Sequence, residues 1–151
     1  MCAQTFDVGP ISADVEKFKK LLDVFRKVFE WGGYECLDKD YLVRLLKNPD
    51  FLVVVAEAGN EVIGGLTAYV LPGYEVARPS IYIYDLGVKK SFQGRGVGKS
   101  LIGYLVNHAK NNGFRGIFVD TEQDDNEDAI AFYRKIPFGS EVKVLQYAVE
   151  L

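Results

Sequence analysis

Three glycines alternate with larger residues in Gln93-Gly94-Arg95-Gly96-Val97-Gly98, after a strand-like run and before a helical one. Glycine permits the positive φ that lets a backbone curl until several N–H groups converge. A helix N-terminus behind such a nest adds the positive end of its macrodipole. The product is an anion site, to which Arg95 and Lys99 add formal charge. The bland alternative is a flexible surface loop, but the strand and helix on either side suit the anion site as well as the glycines do.

The flanks follow from their periodicity. Residues 81–88 are β-branched and aromatic, as a strand requires. A helix is predicted over 98–112, with Leu101, Ile102, Leu105, Val106 and Ala109 on one face and Gly113 as its left-handed cap. Upstream, Ser12 is a candidate N-cap for a helix carrying Val15, Phe18, Leu21, Leu22, Phe25, Val28 and Phe29, stopped at Gly32-Gly33. A shorter helix with Tyr41, Leu42, Leu45 and Leu46 closes at Asn48-Pro49. A hairpin follows, from 51–56 through the turn Gly59-Asn60 to 62–71, and a loop over 72–79 leads back to the strand before the glycines.

Beyond the glycine-rich helix, a strand is expected over 116–121, then an acidic loop, then a helix with Ala129, Ile130, Phe132, Tyr133 and Ile136. Residues 142–149 alternate like a last strand. The expected order is ααβββαβαβ, an α/β chain of the α+β type, with residues 1–151 as one domain and 48% hydrophobic content to build its core.

Charge and cysteine usage remove several functions. With 18 basic and 21 acidic side chains and a pI of about 5.2, no global positive field exists to hold nucleic acid. Cys2 and Cys36 form no CxxC and His108 is the one histidine, which argues against a metal site. The N-terminal MCAQTFDVGP has no leader pattern, and no apolar run approaches the roughly 20 residues of a bilayer span. No membrane partner and a cytoplasmic location with reduced thiols are expected.

Two phosphate loops compete for the glycines. The Walker A pattern ends in Gly-Lys-Ser, as Gly98-Lys99-Ser100 does, and Ile117-Phe118-Val119-Asp120 has the look of a Walker B strand. However, Gln93 stands where that pattern needs glycine, and Lys89, Lys90, Ser91 and Phe92 intervene after the strand. The Gln-x-x-Gly-x-Gly loop of the GNAT acetyltransferases is matched in full by Gln93, Gly96 and Gly98. Asn126-x-x-Ala129-Ile130-x-Phe132-Tyr133-x-Lys135 is similar to that superfamily's second signature. The chain therefore resembles the GNAT superfamily over 51–138. At Pro137 it departs from the usual Lys-x-Gly-Phe, so the turn there must be built differently.

The resemblance implies a mixed, V-shaped sheet flanked by helices, in which strand 81–88 parts from strand 116–121 to admit the pantetheine arm of acetyl-CoA. By the same resemblance, the backbones of Leu86, Gly87 and Val88 contact that arm, and Asn126 contacts it from the other side. Gln93, Gly94, Arg95, Gly96, Val97, Gly98 and Lys99 form the pyrophosphate loop, and Tyr133 is the acid that protonates the leaving thiolate. Asp85, near the end of the cofactor strand, is the candidate general base, against the plainer reading of an aspartate satisfied by backbone. His108 lies mid-helix, away from the expected sulfur end, and neither cysteine sits by an activating motif, so direct transfer is expected over a covalent acetyl-enzyme.

Asp120, Glu122, Asp124, Asp125, Glu127 and Asp128 crowd one stretch, and Glu30, Glu35, Asp38 and Asp40 another. Acids near a helix N-terminus also favour its dipole, yet together these groups suit a small cationic amine. Tyr84, Asp85, Glu122, Asp124 and Asp125 are the candidate substrate contacts. From Ala68-Tyr69-Val70-Leu71-Pro72 through Ile81-Tyr82-Ile83-Tyr84-Asp85-Leu86, the chain closely resembles the GNAT-type aminoglycoside 3-N-acetyltransferases. That implies acetylation of the 3-amino group of deoxystreptamine, and hence antibiotic resistance. The alternatives are polyamines or other small amines, protein N-acetylation, or a non-catalytic acetyl-CoA-binding module. The resemblance and the exposed aromatic strand residues point to a homodimer.

Overall fold

The computed structural model describes residues 5–33, 35 and 37–151, so Cys2, Glu35's neighbour Cys36 and the first residues lie outside the description. The elements run β1 (Asp7–Ile11), α1 (Val15–Val28), α2 (Lys39–Lys47), β2 (Phe51–Ala58), β3 (Glu61–Leu71), β4 (Ser80–Val88), α3 (Val97–Asn111), β5 (Gly116–Val119) and α4 (Glu127–Arg134). The chain divides after Asp120 into two compact units, residues 1–120 and residues 121–151.

In the first unit five strands form a mixed sheet in the order β1-β2-β3-β4-β5, antiparallel except for the parallel pair β4 and β5. This is the expected α/β class. One strand was not foreseen: the helices do not come first, because β1 precedes them. Gly9-Pro10 hides it from a propensity reading, and its place at the sheet edge is where proline is tolerated in a strand.

The apolar stripe of α1 forms as its spacing predicts, but the cap is Asp14 rather than Ser12. The Asp14 carboxylate accepts the Lys17 N–H at 2.9 Å, satisfying one of the donors a helix start leaves free. The helix also ends before Gly32-Gly33, with Glu30 supplying a positive φ of 54°. Helix α1 packs on β3 and β4, α2 on β2, and α3 on β1 through β5.

Strands β2 and β3 are buried almost end to end, which identifies a sheet covered on both faces. Phe51, Val53 and Val55 cluster with Phe18, Leu21, Leu22, Phe25 and Leu42 of α1 and α2. Their alternates Val54 and Ala56, equally buried, point to the opposite face. Each fully buried leucine or phenylalanine contributes about 1.5–3 kcal/mol relative to exposure, so this two-sided core holds the sheet as a rigid platform.

In the second unit α4 is the one regular element among the described residues. Phe138 N donates to Ile136 O at 2.7 Å, closing a three-residue turn around Pro137. Proline's fixed φ suits the centre of such a turn, so the chain turns without the glycine it lacks. The strand expected over 142–149 is not formed: no ladder pairs it, and Val142 and Tyr147 are 75% and 89% exposed. Alternation marks residues able to line a sheet, but a strand exists only when its N–H and C=O groups find a neighbour.

Candidate active site

Helix α3 begins where the glycines predict. Gly94 and Gly96 have φ of 72° and 83°, and Gly96 is the helix N-cap. A Cβ at either would meet nothing within 4 Å, so the requirement is for backbone hand and not for space. The first bond inside the helix runs from Ser100 N to Gly96 O, which leaves the N–H groups of Val97, Gly98 and Lys99 without an intrahelical acceptor. Gln93 donates through Nε2 to the Val88 carbonyl at 2.9 Å, tying the loop to the end of β4. The Arg95 guanidinium lies over the Phe92 ring at 5.4 Å. Arg95 and Lys99 are both exposed. The chain leaves β4 by a 3-10 turn at Lys90–Phe92, and among the described residues the sheet contains one parallel pair, neither of which suits a Walker A domain.

Pairing between β4 and β5 covers only Ser80 to Ile83 against Gly116 to Val119. Past that point Leu86, Gly87 and Val88 still pair with Leu66, Gly65 and Gly64 of β3, but among the described residues no strand pairs with them on the β5 side. This is the parting of strands expected for an amide-bearing arm. Gly87 is pressed against α1: a Cβ there would lie 3.0 Å from the Phe25 ring.

A β-bulge in β4 controls what lies on each face. Thr67 pairs with Asp85 but Ala68 pairs with Ile83, so Tyr84 is an extra residue. Before the bulge Ile81 and Ile83 are buried on the face of Ala68. After it, the phase is reversed and Asp85 shares the opposite face with Thr67. Consecutive residues Tyr84 and Asp85 therefore both line one cavity of about 120 Å³. Its other walls are Phe18, Leu22 and Phe25 of α1, Leu37, Leu42 and Leu45 at α2, and Phe51, Thr67 and Tyr69 of the sheet. Tyr69 packs edge-on to Tyr84, with ring centroids 5.5 Å apart.

Among the described residues no cationic side chain lines this cavity. Burial among apolar groups consequently raises the Asp85 carboxyl above its ordinary range. Burial also raises the Tyr69 hydroxyl, with smaller contributions from the negative charge Tyr84, Tyr41 and Asp85 can carry. Tyr82, stacked on Phe118 at 5.0 Å, is raised by burial first and then by the negative charge of Asp120. The α2 side of the cavity is made of leucines, not of the carboxylates Glu30, Asp38 and Asp40, which are absent from its lining. His108 stands in the last turn of α3, at the end remote from the glycines.

The other candidates belong to the second unit. Asn126 stands at the N-cap of α4 and donates through Nδ2 to Thr121 Oγ1 at 2.7 Å. Glu122, Asp124 and Asp125 are exposed around it. Tyr133 is half-buried, its ring 5.1 Å from that of Phe132 and 6.2 Å from that of Phe138. Thr67 and the leucine wall escaped the sequence reading. Their one signal is a lone hydroxyl in the otherwise apolar run Val62 to Ala68.

Helix-start N–H groups free to meet an anion, one step beyond a strand that parts from its parallel neighbour, make an arrangement suited to a pyrophosphate with an amide-bearing arm. Residues 18–138 match the model of the Acetyltransferase (GNAT) family, and the chain belongs to that family. Among solved structures it is similar to the aminoglycoside acetyltransferase meta-AAC0020 from an uncultured soil metagenomic sample, determined with trehalose and with sisomicin. The TM-score is 0.94 in both cases, with 34% and 33% identity over 97% of this chain and 96% of that one. Aminoglycoside acetyltransferase HMB0005, also from uncultured soil, is 33% identical with a TM-score of 0.89, over 97% of this chain and 99% of that one. The L-2,4-diaminobutyric acid acetyltransferase of Shouchella clausii (strain KSM-K16) is 31% identical over 87 residues, 58% of this chain and 47% of that protein. The chain thus matches less than half the length of that curated relative.

Among the described residues no helix is long and apolar enough to cross a membrane.

Proposed function

We propose that the protein transfers the acetyl group of acetyl-CoA to an aminoglycoside, at the 3-amino group of deoxystreptamine, and so confers resistance in the cytoplasm. The observation that carries this is Asp85, held in a cation-free cavity next to the strand gap with its affinity for a proton raised. The similarity to aminoglycoside acetyltransferases along nearly the whole chain supports the substrate.

The residues fit the cofactor: the positive φ of Gly94 and Gly96 turns backbone N–H groups from Gly94 to Lys99 toward one anion, suited to a pyrophosphate. Leu86, Gly87 and Val88 offer backbone to the pantetheine amides, and Asn126 offers a side-chain amide. When bound, acetyl-CoA supplies an acetyl group activated as a thioester. Asp85 accepts a proton from the substrate ammonium, freeing the nitrogen lone pair to form the N–C bond. As the C–S bond breaks, Tyr133 donates its proton to the departing sulfur. A backbone N–H near Leu86 or Gly87 polarises the carbonyl. Glu122, Asp124 and Asp125 attract the cationic substrate, and Tyr84 offers it an aromatic face. The protein acts as a homodimer in this reading and needs no metal.

A second reading, acetylation of a smaller amine such as a diamino acid or polyamine, is favoured by the diaminobutyric acid acetyltransferase similarity. Thiol release from acetyl-CoA with gentamicin, kanamycin, spermidine, diaminobutyrate and a lysine-rich peptide separates the two. The expected result is turnover with gentamicin that falls at least tenfold in Tyr133→Phe. Turnover confined to diaminobutyrate or spermidine would establish the second reading. Coenzyme binding without turnover of any amine would indicate a non-catalytic module.

A further inference from the structure

The cavity beside Asp85 holds a polar group that the acetyl-transfer chemistry leaves unused. Thr67 is the one buried polar residue among the described residues, only 5% exposed, and it lines the same cavity. It stands directly across from Asp85 in the β3 and β4 pairing, so both side chains project to the same face. Among the described residues no side-chain hydrogen bond involves Thr67, yet no side-chain oxygen is left both enclosed and unpaired. Its hydroxyl must therefore reach the cavity space. It is thus an accessible acceptor on the wall of an otherwise apolar cavity, placed beside the Asp85 carboxylate where a ligand nitrogen could meet both.

We propose that Thr67 and Asp85 together form a subsite for one amine-bearing saturated ring, with Thr67 positioning the nitrogen. This rests on the reading of Asp85 as proton acceptor. An ammonium has three N–H donors. Asp85 accepts one and takes its proton, the Thr67 oxygen accepts a second, and both contacts fix the direction of the lone pair that emerges. The leucines at 37, 42 and 45 and the rings of Phe51, Tyr69 and Tyr84 cover the C–H faces of the ring. The two tyrosine rings also favour the positive charge before deprotonation. At about 120 Å³ the cavity is smaller than the roughly 300 Å³ at which whole-ligand pockets begin, so it admits one ring of a multi-ring substrate and leaves the others outside. Specificity in this pocket is accordingly for an aminocyclitol ring and not for a long polyamine chain.

The test uses the full chain with coenzyme A present. The Thr67, Leu42 and Leu45 methyl signals are followed by NMR as 2-deoxystreptamine is added, in the parent, in Thr67→Val, which keeps the shape and removes the acceptor, and in Thr67→Ser. Steady-state kinetics on the same proteins accompany the titration. Expected are shifts of the methyl signals of all three residues in the parent and roughly tenfold weaker binding and higher amine KM in Thr67→Val, with recovery in Thr67→Ser and an unchanged KM for acetyl-CoA. Parent methyls that do not move at saturating amine, or equal amine KM in Thr67→Val and parent, would overturn the inference even if gentamicin is acetylated. Shifts that the valine variant abolishes, in a protein that turns over no aminoglycoside, would sink the proposed reaction and leave the subsite standing.

Discussion

The two ends of β4's second half are built from different materials. At Gln93 to Lys99 the site is backbone: two glycines of positive φ and the N-terminal amides of α3. At Tyr84 and Asp85 it is side chains gathered from α1, α2, β2, β3 and β4 around an apolar cavity. A backbone site asks only for a short contiguous string of residues, so one loop sequence serves every protein that binds the same cofactor. A side-chain site is assembled from distant parts of the chain and can be changed one residue at a time. The difference separates recognition of a common acetyl donor from choice of acceptor.

Substitutions should respect that division. Asp85→Asn is expected to lower kcat/KM for the amine by about 100-fold or more, the range of a lost general base, with KM for acetyl-CoA unmoved. A matching rise in KM for acetyl-CoA would break the separation. Gly96→Ala forces an L side chain into the left-handed region at a cost of about 1–2 kcal/mol. It should raise KM for acetyl-CoA about tenfold and leave amine KM alone, as measured by steady-state kinetics with each substrate varied while the other is saturating.

The raised Asp85 carboxyl gives two pH signatures. In the parent, kcat/KM rises with pH through an inflection above the ordinary carboxylate range, and this inflection disappears in Asp85→Asn. For stability the sign is opposite to that of a salt-bridged acid. The folded state holds the proton more tightly than the unfolded state, so stability falls as pH rises from the unfolded value through the folded one. Asp85→Asn should therefore melt at a higher temperature than the parent at pH 7, by a few degrees or less, and the gain should vanish below about pH 4 in a calorimetric series. The smallest effect belongs to Arg95→Ala. Its exposed charge contributes only through screened attraction and packing on Phe92, so KM for acetyl-CoA should rise about two- to fivefold, and less at high salt.

How much of this was legible in the sequence follows the same division. Gln93, Gly96 and Gly98 could be read because contiguous glycines leave few alternatives, and α1 and α3 because their stripes have the helical period. Asp85 could be placed at a strand end, but the bulge at Tyr84 that turns it toward the cavity leaves no mark in composition or period. Thr67 was invisible because its meaning comes from the residue opposite it. Strand β1 was missed because Gly9 and Pro10 lower its propensity and only an edge position excuses them. Over 142–149 the error ran the other way: a strand period is present, but no strand forms there.

The extra residue in β4 also bears on how such a strand can change. Up to Ile83 the strand serves the core, and from Asp85 onward the same alternation serves the cavity, because one inserted residue inverts inside and outside. Loss of a single codon at Tyr84 would restore a continuous pleat with Asp85 still opposite Thr67, so the carboxylate would stay on the cavity face and only the aromatic ring beside it would be lost. The reverse event, a one-residue insertion absorbed as a bulge, would add a side chain beside a residue that already faces a cavity, while its neighbours keep their partners and faces. The wall of such a cavity can therefore be extended by a change of length as readily as by a change of side chain.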